Sequence, residues 1–483
     1  MKKTLKRAWI AWLCVPVLFS CATYNNKMSG YYKSIGQAEY YRAKSLLEQN
    51  SLLQHDRNKL LYYMEMGKVC HLLGSYDSSN LYLNLADNLI EQKRKTLGDV
   101  VVGNLVNPMM QTYLGEDFER FLLHYYKALN YLYKGETAEA VVEARRITLS
   151  TQAQQDKFKP NANRYTEDAF ALIFQGLIYE AAGEINNAFI SYRNATDLFL
   201  SAQGLNYYGV RMPEQLKTDL FRTAGQMGFS DMVELYQRKL NRNYQPTQTA
   251  EGGELIVFFE RGMVPEKTEQ NFVLMQQGNG NGVFLFNSQY GSFNIPVDFS
   301  AAGISSNHSR LNEFRTIRVA VPSYTPRIYP FAEGTVSVNG QKYTAELVED
   351  LNTLAPEILK ERILKEVTTA LTRQVTKKLT EAGASAVARE ISKSSSKEKD
   401  ERKKERNAET AALTAGLLVN LFNTATEKAD TRNWQSLPAM IQYVRVPLQK
   451  GSNQLSLQLG GSARNITILG NGKLQLYNWA VNH

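Results

Sequence analysis

Histidines and cysteines are few in this chain of 483 residues, five and three respectively, and the histidines are scattered. His71, His124 and His308 have neither a carboxylate nor a thiol at a ligand spacing, as a zinc site would need. The Gly-x-Ser-x-Gly and His-Glu-x-x-His motifs are absent from the sequence. We therefore predict no catalytic residues, no metal site and no cofactor, and we expect that the protein is not an enzyme.

The best polar constellation is Asp430, Arg432 and Trp434, just before the last predicted strands. A charged pair beside an indole could bind a ligand. The alternative is structural, because a buried Asp430–Arg432 ion pair would hold the junction between a helix and the strands that follow.

The first residues have the pattern of an export signal. Four basic residues, Lys2, Lys3, Lys6 and Arg7, precede an apolar run over 8–19. That run is shorter than the roughly 20 residues that a membrane-spanning helix needs. It ends at Leu18-Phe19-Ser20-Cys21. A positive start, a short apolar run and a small residue before the cleavage point are typical of a signal peptide. We assign 1–20 to this signal.

Leu18-Phe19-Ser20-Cys21 resembles the bacterial lipobox. The resemblance implies that Cys21 is acylated with palmitate-type chains, becomes the new N-terminus and anchors the protein to a membrane, with 21–35 as a linker. The alternative is an ordinary secretory signal with a chance cysteine. Ala22 is not acidic and no acidic run follows, so we expect the periplasmic face of the outer membrane. Cys70 is then the one thiol left, and no intramolecular disulfide can form.

The formal net charge of +9 has two local sources, the signal peptide and a Lys/Arg-rich stretch near 389–406. An exported protein rarely meets DNA, so we predict no nucleic-acid partner. Anionic lipid headgroups or cell-wall polymers are the better match for the basic excess that remains.

A repeated spacing runs through 36–245. The clearest copy is Leu172-x3-Gly176-x2-Tyr179-x3-Gly183-x4-Ala188-x3-Tyr192-x2-Ala195, with further copies from Tyr63, Ala128 and, in part, Phe221. Small residues at the Gly176 and Ala188 positions let two antiparallel helices approach, and Tyr179 and Tyr192 fill the gap to the next pair. The glycine inside each copy (Gly74, Gly135, Gly183, Gly228) ends the first helix in a left-handed conformation.

This spacing resembles the tetratricopeptide repeat, whose stacked helices form a concave groove that binds peptides or proteins. The marker glycines lie 61, 48 and 45 residues apart, against about 34 in a tandem array, so each junction carries an insertion. We expect the helices at 36–54 and 212–240 to cap the stack. Tyr131, Tyr179 and Tyr192 are the candidate partner-binding residues. The alternative is that they, like the repeats, are only structural.

The sequence changes period after Gly252-Gly253, which predicts a β-rich domain whose first part is 251–350. The run 255–259 is apolar throughout, as in a strand buried on both faces. The runs 272–275 and 283–286 flank a Gly/Asn segment typical of a hairpin, and Asn339-Gly340 predicts another turn. Four further strands within 429–483 should complete the sheet that begins at 255.

Residues 351–428 predict a helical hairpin inserted between those two parts. An apolar stripe runs through 353–385, a densely charged segment over 393–409 forms the tip, and a second apolar helix covers 411–422. Either the two stripes pack together, or the hairpin leans on a membrane or a partner with its basic tip on phosphate groups.

The segment 429–438, together with 261–267, resembles a family of bacterial lipoproteins with tetratricopeptide-like repeats to which no activity is assigned. The sequence thus predicts an α+β protein, with helical repeats followed by a β-rich domain. Its leading function is a non-enzymatic envelope scaffold or assembly factor that binds proteins through the repeat groove. The alternatives are a regulator that activates a peptidoglycan synthase, by analogy of architecture alone, and a hydrolase of envelope polymers.

Overall fold

The computed structural model of this protein describes residues 24–96, 108–157, 165–202, 204, 206–246, 249–276, 283–288, 291–296, 316–394 and 428–482. Their fold is α+β, as the sequence predicts. Cys21 and the signal peptide lie outside the described residues. Among those residues, no helix is both long and apolar enough to cross a membrane.

Antiparallel helix pairs make up the first half of the described chain. In chain order they are α1 (Tyr24–Gly36), α2 (Tyr40–Glu48), the short α3 (Ser51–Gln54), α4 (Lys59–Leu72), α5 (Tyr76–Thr96), α6 (Asp117–Tyr133), α7 (Thr137–Lys157), α8 (Ala169–Ala181), α9 (Ile185–Ser201), α10 (Glu214–Gln226) and α11 (Ser230–Leu240). A small hairpin of β1 (Asn206–Tyr207) and β2 (Val210–Arg211) separates α9 from α10.

The turn inside each of the four longer pairs contains the glycine that the spacing predicts. Gly74, Gly135, Gly183 and Gly228 have φ of 72°, 77°, 77° and 69°. A Cβ built on Gly176 would lie 2.4 Å from Cε1 of the Tyr192 ring. The small residue therefore sets how closely α8 approaches α9.

The expectation of a linker over 21–35 is wrong from Tyr24 onwards, because these residues form α1. Its inner face buries Met28 and Ile35 completely. Tyr31 and Tyr32 donate hydrogen bonds from α1 to the Glu65 carboxylate on α4, at 2.7 and 3.0 Å. The stack of helices thus begins almost directly after the predicted lipidation site.

The second half of the described chain contains three four-stranded sheets. The strands are β3 (Gly253–Arg261), β4 (Glu266–Gln276), β5 (Val283–Ser288), β6 (Gly291–Pro296), β7 (Thr316–Thr325), β8 (Thr335–Val338), β9 (Gln341–Thr344), β10 (Glu346–Asp350), β11 (Met440–Pro447), β12 (Gly451–Leu459), β13 (Ser462–Gly470) and β14 (Lys473–Val481). The central sheet has the order β10-β11-β3-β14, the second β13-β12-β8-β9 and the third β6-β5-β4-β7.

Of the four C-terminal strands predicted to complete the sheet that begins at β3, only two do so. β11 pairs with β3 antiparallel and β14 pairs with it parallel, whereas β12 and β13 belong to the second sheet. The Asn339-Gly340 turn is confirmed, since both residues have positive φ between β8 and β9. The β4–β5 pairing is also confirmed, and its Gly/Asn loop at 277–282 lies outside the described residues.

Strand β3 is buried on both faces. Leu255, Val257 and Phe259 point into the core shared with the second sheet. Ile256 and Phe258 point to the other side, into the core shared with the helices. The molecule is therefore layered, with helix pairs on one face of the central sheet and the second sheet on the other.

A long helix, α12 (Leu351–Ser394), follows β10. Its Ile363, Val367 and Leu371 pack into the core of the third sheet. The apolar stripe predicted for the insertion therefore has a sheet as its partner over these turns. The predicted second helix at 411–422 lies outside the described residues.

The close approach of α8 and α9 gives a stability prediction. Gly176→Ala should lower the free energy of unfolding by about 2 kcal/mol, because the added methyl group must displace the buried Tyr192 ring. Gly30→Ala is the matched control inside α1, where a Cβ would lie 4.0 Å from its nearest neighbour. That change should be neutral or stabilise by up to about 1 kcal/mol. Urea unfolding of both variants measures the difference, and equal destabilisation would contradict the helix-contact account.

Candidate functional site

The inner side of the helix stack is the candidate site, and the central sheet covers it. Phe258 of β3 lies among three aromatic rings that belong to α6 and α8. Its ring centroid is 5.7 Å from Tyr125, 6.0 Å from Phe170 and 5.8 Å from Phe174. α4, α6 and α8 therefore use their inner faces to bury the chain's own strand.

A buried ion pair lies at the centre of this interface. Lys68 Nζ on α4 is 2.6 Å from Glu260 Oε2 on β3, and each side chain is 1% exposed. Tyr125 and Tyr126 donate hydrogen bonds to the same carboxylate at 3.0 and 2.8 Å. Burial lowers the pKa of Lys68, and although burial also opposes the Glu260 charge, Lys68 keeps the pKa of Glu260 below its ordinary value. A lysine, a carboxylate and two phenols could perform proton transfer, but these groups are closed to solvent.

His71 extends this network to β14. Its Nδ1 is 2.6 Å from Asn130 Oδ1, and its Nε2 is 3.0 Å from Asn478 Nδ2. Burial, followed by the charge of Lys68, lowers the pKa of His71 to about 4. The imidazole is therefore neutral near pH 7, donating through Nδ1 and accepting through Nε2.

Two buried carboxyl groups accept hydrogen bonds from the segment that precedes β11. Glu119 on α6 accepts a hydrogen bond from the Trp434 backbone N–H at 2.6 Å. Glu65 on α4 accepts one from the Ser436 hydroxyl. Burial raises the pKa of both carboxyls to about 7. The helix stack therefore holds this segment through groups that titrate near neutrality.

Asp430 and Arg432 form the ion pair that their structural alternative requires, and Trp434 follows in the same buried segment. Arg432 makes a bidentate contact with Asp430, with Nε 2.8 Å from Oδ1 and Nη2 2.7 Å from Oδ2. It also donates to Asn58 Oδ1 at 2.8 Å and to the Gln111 carbonyl at 3.0 Å. Arg432 and Trp434 are both fully buried. The triad joins the segment before β11 to the starts of the helices.

The tyrosines predicted to line an open groove have different surroundings. Tyr179 is 7% exposed and Tyr192 is completely buried, while Tyr131 is partly buried against the helical core. Tyr192 donates a hydrogen bond to Glu180 Oε2 at 2.9 Å. Tyr179 and Tyr192 are packing residues of the stack in this arrangement, and a partner does not reach them.

A second ion-pair cluster at this interface has no signal in the sequence. Arg445 of β11 contacts the carboxylates of Glu180 on α8 at 2.9 Å, Asp219 on α10 at 3.2 Å and Glu254 on β3 at 2.5 Å. Arg222 of α10 contacts the same Glu180 at 2.7 Å. These partners are far apart in the chain, so no local spacing could reveal them.

A possible metal-ligand group consists of Asp87, His124 and Glu143, supplied by α5, α6 and α7. His124, which has no ligand-spaced partner in sequence, thus has two in space. Lys127 lies among them, with Nζ 2.8 Å from Asp87 Oδ2 and 2.9 Å from Glu143 Oε1. The lysine ammonium supplies the positive charge that a metal would bring, and this chemistry favours an ion-pair cluster between helices.

A small cavity adjoins the junction of α8, β10 and α12. Asp168 and Glu349 line it together with Tyr165, Tyr207 and Tyr208, and its volume is about 10 Å³. Such a volume holds at most one water molecule, whereas small-molecule sites occupy hundreds of cubic ångströms. Burial and the neighbouring Asp168 carboxylate raise the pKa of Glu349 well above its ordinary value.

Comparison of the chain with protein-family models, with curated proteins and with solved structures gave no match.

The raised pKa of Glu65 predicts a pH-dependent stability. The folded protein keeps a proton on Glu65 up to about pH 7, whereas an unfolded chain releases it near about pH 4. The stability tied to this group is thus complete below the unfolded pKa and is lost as the pH rises through the folded pKa.

Glu65→Gln removes this titration and, like the protonated carboxyl group, keeps one acceptor oxygen for the tyrosine hydroxyls of α1. Between about pH 5 and pH 8, the free energy of unfolding of the native protein should fall relative to Glu65→Gln by on the order of 3 kcal/mol. His71 and Glu119 titrate in both proteins, so their contributions cancel. Urea unfolding at both pH values checks this, with the exposed Glu234→Gln as control. A pH-independent difference between native protein and Glu65→Gln would contradict the prediction.

Proposed function

We propose that this protein is a lipid-anchored periplasmic lipoprotein that acts as a non-enzymatic scaffold in the cell envelope. The observation that carries the proposal is that the two helices of a pair have different surroundings. The first helices of three pairs, α4, α6 and α8, pack against the central sheet. The second helices α5 and α7 face outward with apolar side chains exposed. Attachment to the membrane through Cys21 would hold that outer surface in the envelope.

The helix pairs support a relationship to tetratricopeptide-like repeats. Each of the four longer pairs turns at a glycine with positive φ, and small residues set the approach of paired helices at Gly67 and Gly176. Irregular spacing between the pairs departs from a tandem array. The relationship favours protein recognition as the general function.

The exposed apolar side chains form short stripes on the second helices. Leu81 and Leu85 are 59% and 37% exposed and lie one turn apart on α5. Val142 and Leu149 are 41% and 61% exposed and lie two turns apart on α7. Positions separated by four or seven residues share one helix face. Aligned apolar residues on a surface mark protein contacts more often than isolated ones do. We therefore propose the outer face, rather than the concave groove, as the partner surface.

The polar clusters support a non-enzymatic role. Lys68 and Glu260 satisfy each other in the interior, and Arg432 is fully buried against Asp430 and the helix starts. A catalytic group must reach a substrate within hydrogen-bonding distance. The charges of these clusters are instead paired within the protein, where they join the helices to the sheet and to the segment before β11.

Photo-crosslinking in intact cells tests the proposal. A benzophenone amino acid at Leu81 or Leu149 should give discrete cross-linked partners, because both side chains face outward from the second helices. The same amino acid at Leu469 on β13, which is 65% exposed, is the matched control and should give none of them. In Cys21→Ala the acyl chains are lost, so the protein should leave the membrane fraction and the cross-links should disappear.

Identical partners from Leu81, Leu149 and Leu469 would contradict an outer-face scaffold. Partners that persist at full yield in Cys21→Ala would contradict the membrane anchor. A peptidoglycan synthase among the partners, with a rate that rises on adding this protein, would favour the regulator over a general scaffold. Turnover of purified cell wall by the protein alone would overturn the non-enzymatic role.

A further inference from the structure

The loop between β7 and β8 exposes two large apolar side chains. Ile328 is 93% exposed and Phe331 is 65% exposed. Apolar groups displayed this openly are candidates for contact with another apolar phase.

The same loop is held firmly from within. The Tyr329 ring fills the space over Gly262, where a Cβ would lie 2.5 Å from the ring, and its hydroxyl accepts the Met263 N–H at 3.0 Å. Gln442, which is buried, donates to the Ala332 carbonyl at 2.8 Å and accepts the Gly334 N–H at 2.7 Å. With Tyr329 packed inward, the loop presents Ile328 and Phe331 at the surface.

The loop lies beside the start of α1. Arg327 Nη2 donates to Gln435 Oε1 at 2.8 Å, and Gln435 Nε2 donates to Asn25 Oδ1 at 2.8 Å. Asn25 in turn donates to the Lys267 carbonyl at 2.9 Å. Two consecutive hydrogen bonds thus connect the residue before Ile328 to the first turn of α1.

The predicted anchor is close to this point. Cys21 precedes Tyr24 by three residues, and three residues of extended chain span at most about 11 Å. Acyl chains on Cys21 would therefore hold the start of α1 at the membrane surface, and neighbouring groups would be held there as well. Lys27, one turn into α1, is exposed and could meet anionic headgroups.

We propose that Ile328 and Phe331 enter the interfacial region of the membrane as a second, non-covalent contact that fixes the orientation of the anchored protein. The inference rests on the proposed acylation of Cys21. A lipid surface is the occupant favoured here, since the apolar tip and the anchor point lie on the same part of the molecule. Glu333 is exposed, so the insertion ends at Phe331 and does not include the rest of the loop. The basic, apolar and acyl elements then share one membrane-facing side.

The mature acylated protein, which begins at Cys21, gives the test in phosphatidylethanolamine/phosphatidylglycerol vesicles. An environment-sensitive fluorophore is attached to Ile328→Cys, which can be labelled selectively because Cys70 is buried and Cys21 is acylated. Ala138→Cys is the control, since it is exposed at the start of α7. Glu116, the residue before α6, contacts Lys267, which lies near the start of α1. From there α6 runs for 17 residues, about 25 Å, before the chain reaches Ala138.

The emission from Ile328→Cys should shift to the blue on vesicle binding and should be quenched by lipids carrying a doxyl group near the headgroup. Emission from Ala138→Cys should not change. Adding Phe331→Asp should remove the shift at position 328, whereas Phe331→Leu should retain it. A circular dichroism melt of each variant verifies folding.

An unshifted Ile328 probe on vesicle-bound protein would overturn the membrane contact and leave the anchor standing. Equal quenching at both positions would overturn it too, because the contact would then lack a defined side. Protein that stays in the vesicle-free fraction although Cys21 is intact would overturn the proposed anchor, and this inference with it.

Discussion

The central sheet requires an apolar cover on both faces, and the rest of the molecule is arranged to supply it. β3 alternates apolar side chains between its two faces, with Val257 and Phe259 on one side and Ile256 and Phe258 on the other. The second sheet covers the first side. The inner faces of α6 and α8 cover the side of β3 that carries Ile256 and Phe258. They bury rings such as Tyr125 and Phe174 against Phe258. Most of the stabilisation therefore comes from apolar burial.

Buried polar groups then determine how the two halves fit together. Removing either member of the Lys68–Glu260 pair would leave an unpaired charge in the interior, at a cost of about 3 to 5 kcal/mol. Arg445 ties β11 to α8 and α10 in a comparable way. A shifted packing would break several such pairs at once. The inner side of the helix stack is thereby occupied by the chain's own sheet, and the contacts proposed with other molecules involve the outer helices and the side near the proposed anchor.

Local patterns in the sequence predicted what depends on neighbours in the chain. The glycine turns at Gly135 and Gly183, the Asn339-Gly340 hairpin and the doubly buried β3 all follow from periodicity or turn chemistry. The Asp430–Arg432 pair was also recognisable, because its members are two residues apart. Of its two predicted roles, the structure shows the structural one, because Arg432 is buried against the starts of the helices.

What could not be predicted depends on partners distant in sequence. Lys68 and Glu260 are separated by 192 residues, and Arg445 and Glu180 by 265. Nothing in either local sequence identifies the other member. Helix α1 was missed although Tyr24, Met28, Tyr31 and Ile35 recur at helical spacing and form its buried face. The division of the last strands between two sheets is likewise a matter of topology.

Native-state hydrogen exchange with increasing denaturant tests the closure of the helix stack on its own sheet most directly. Exchange in peptides from α4, α6 and β3 reports whether these elements open together or separately. If the helices and the central sheet form one cooperative unit, all three lose protection at the same denaturant concentration. Exchange of β3 while α4 and α6 stay protected would contradict this closure, because the inner side of the stack would then open without global unfolding.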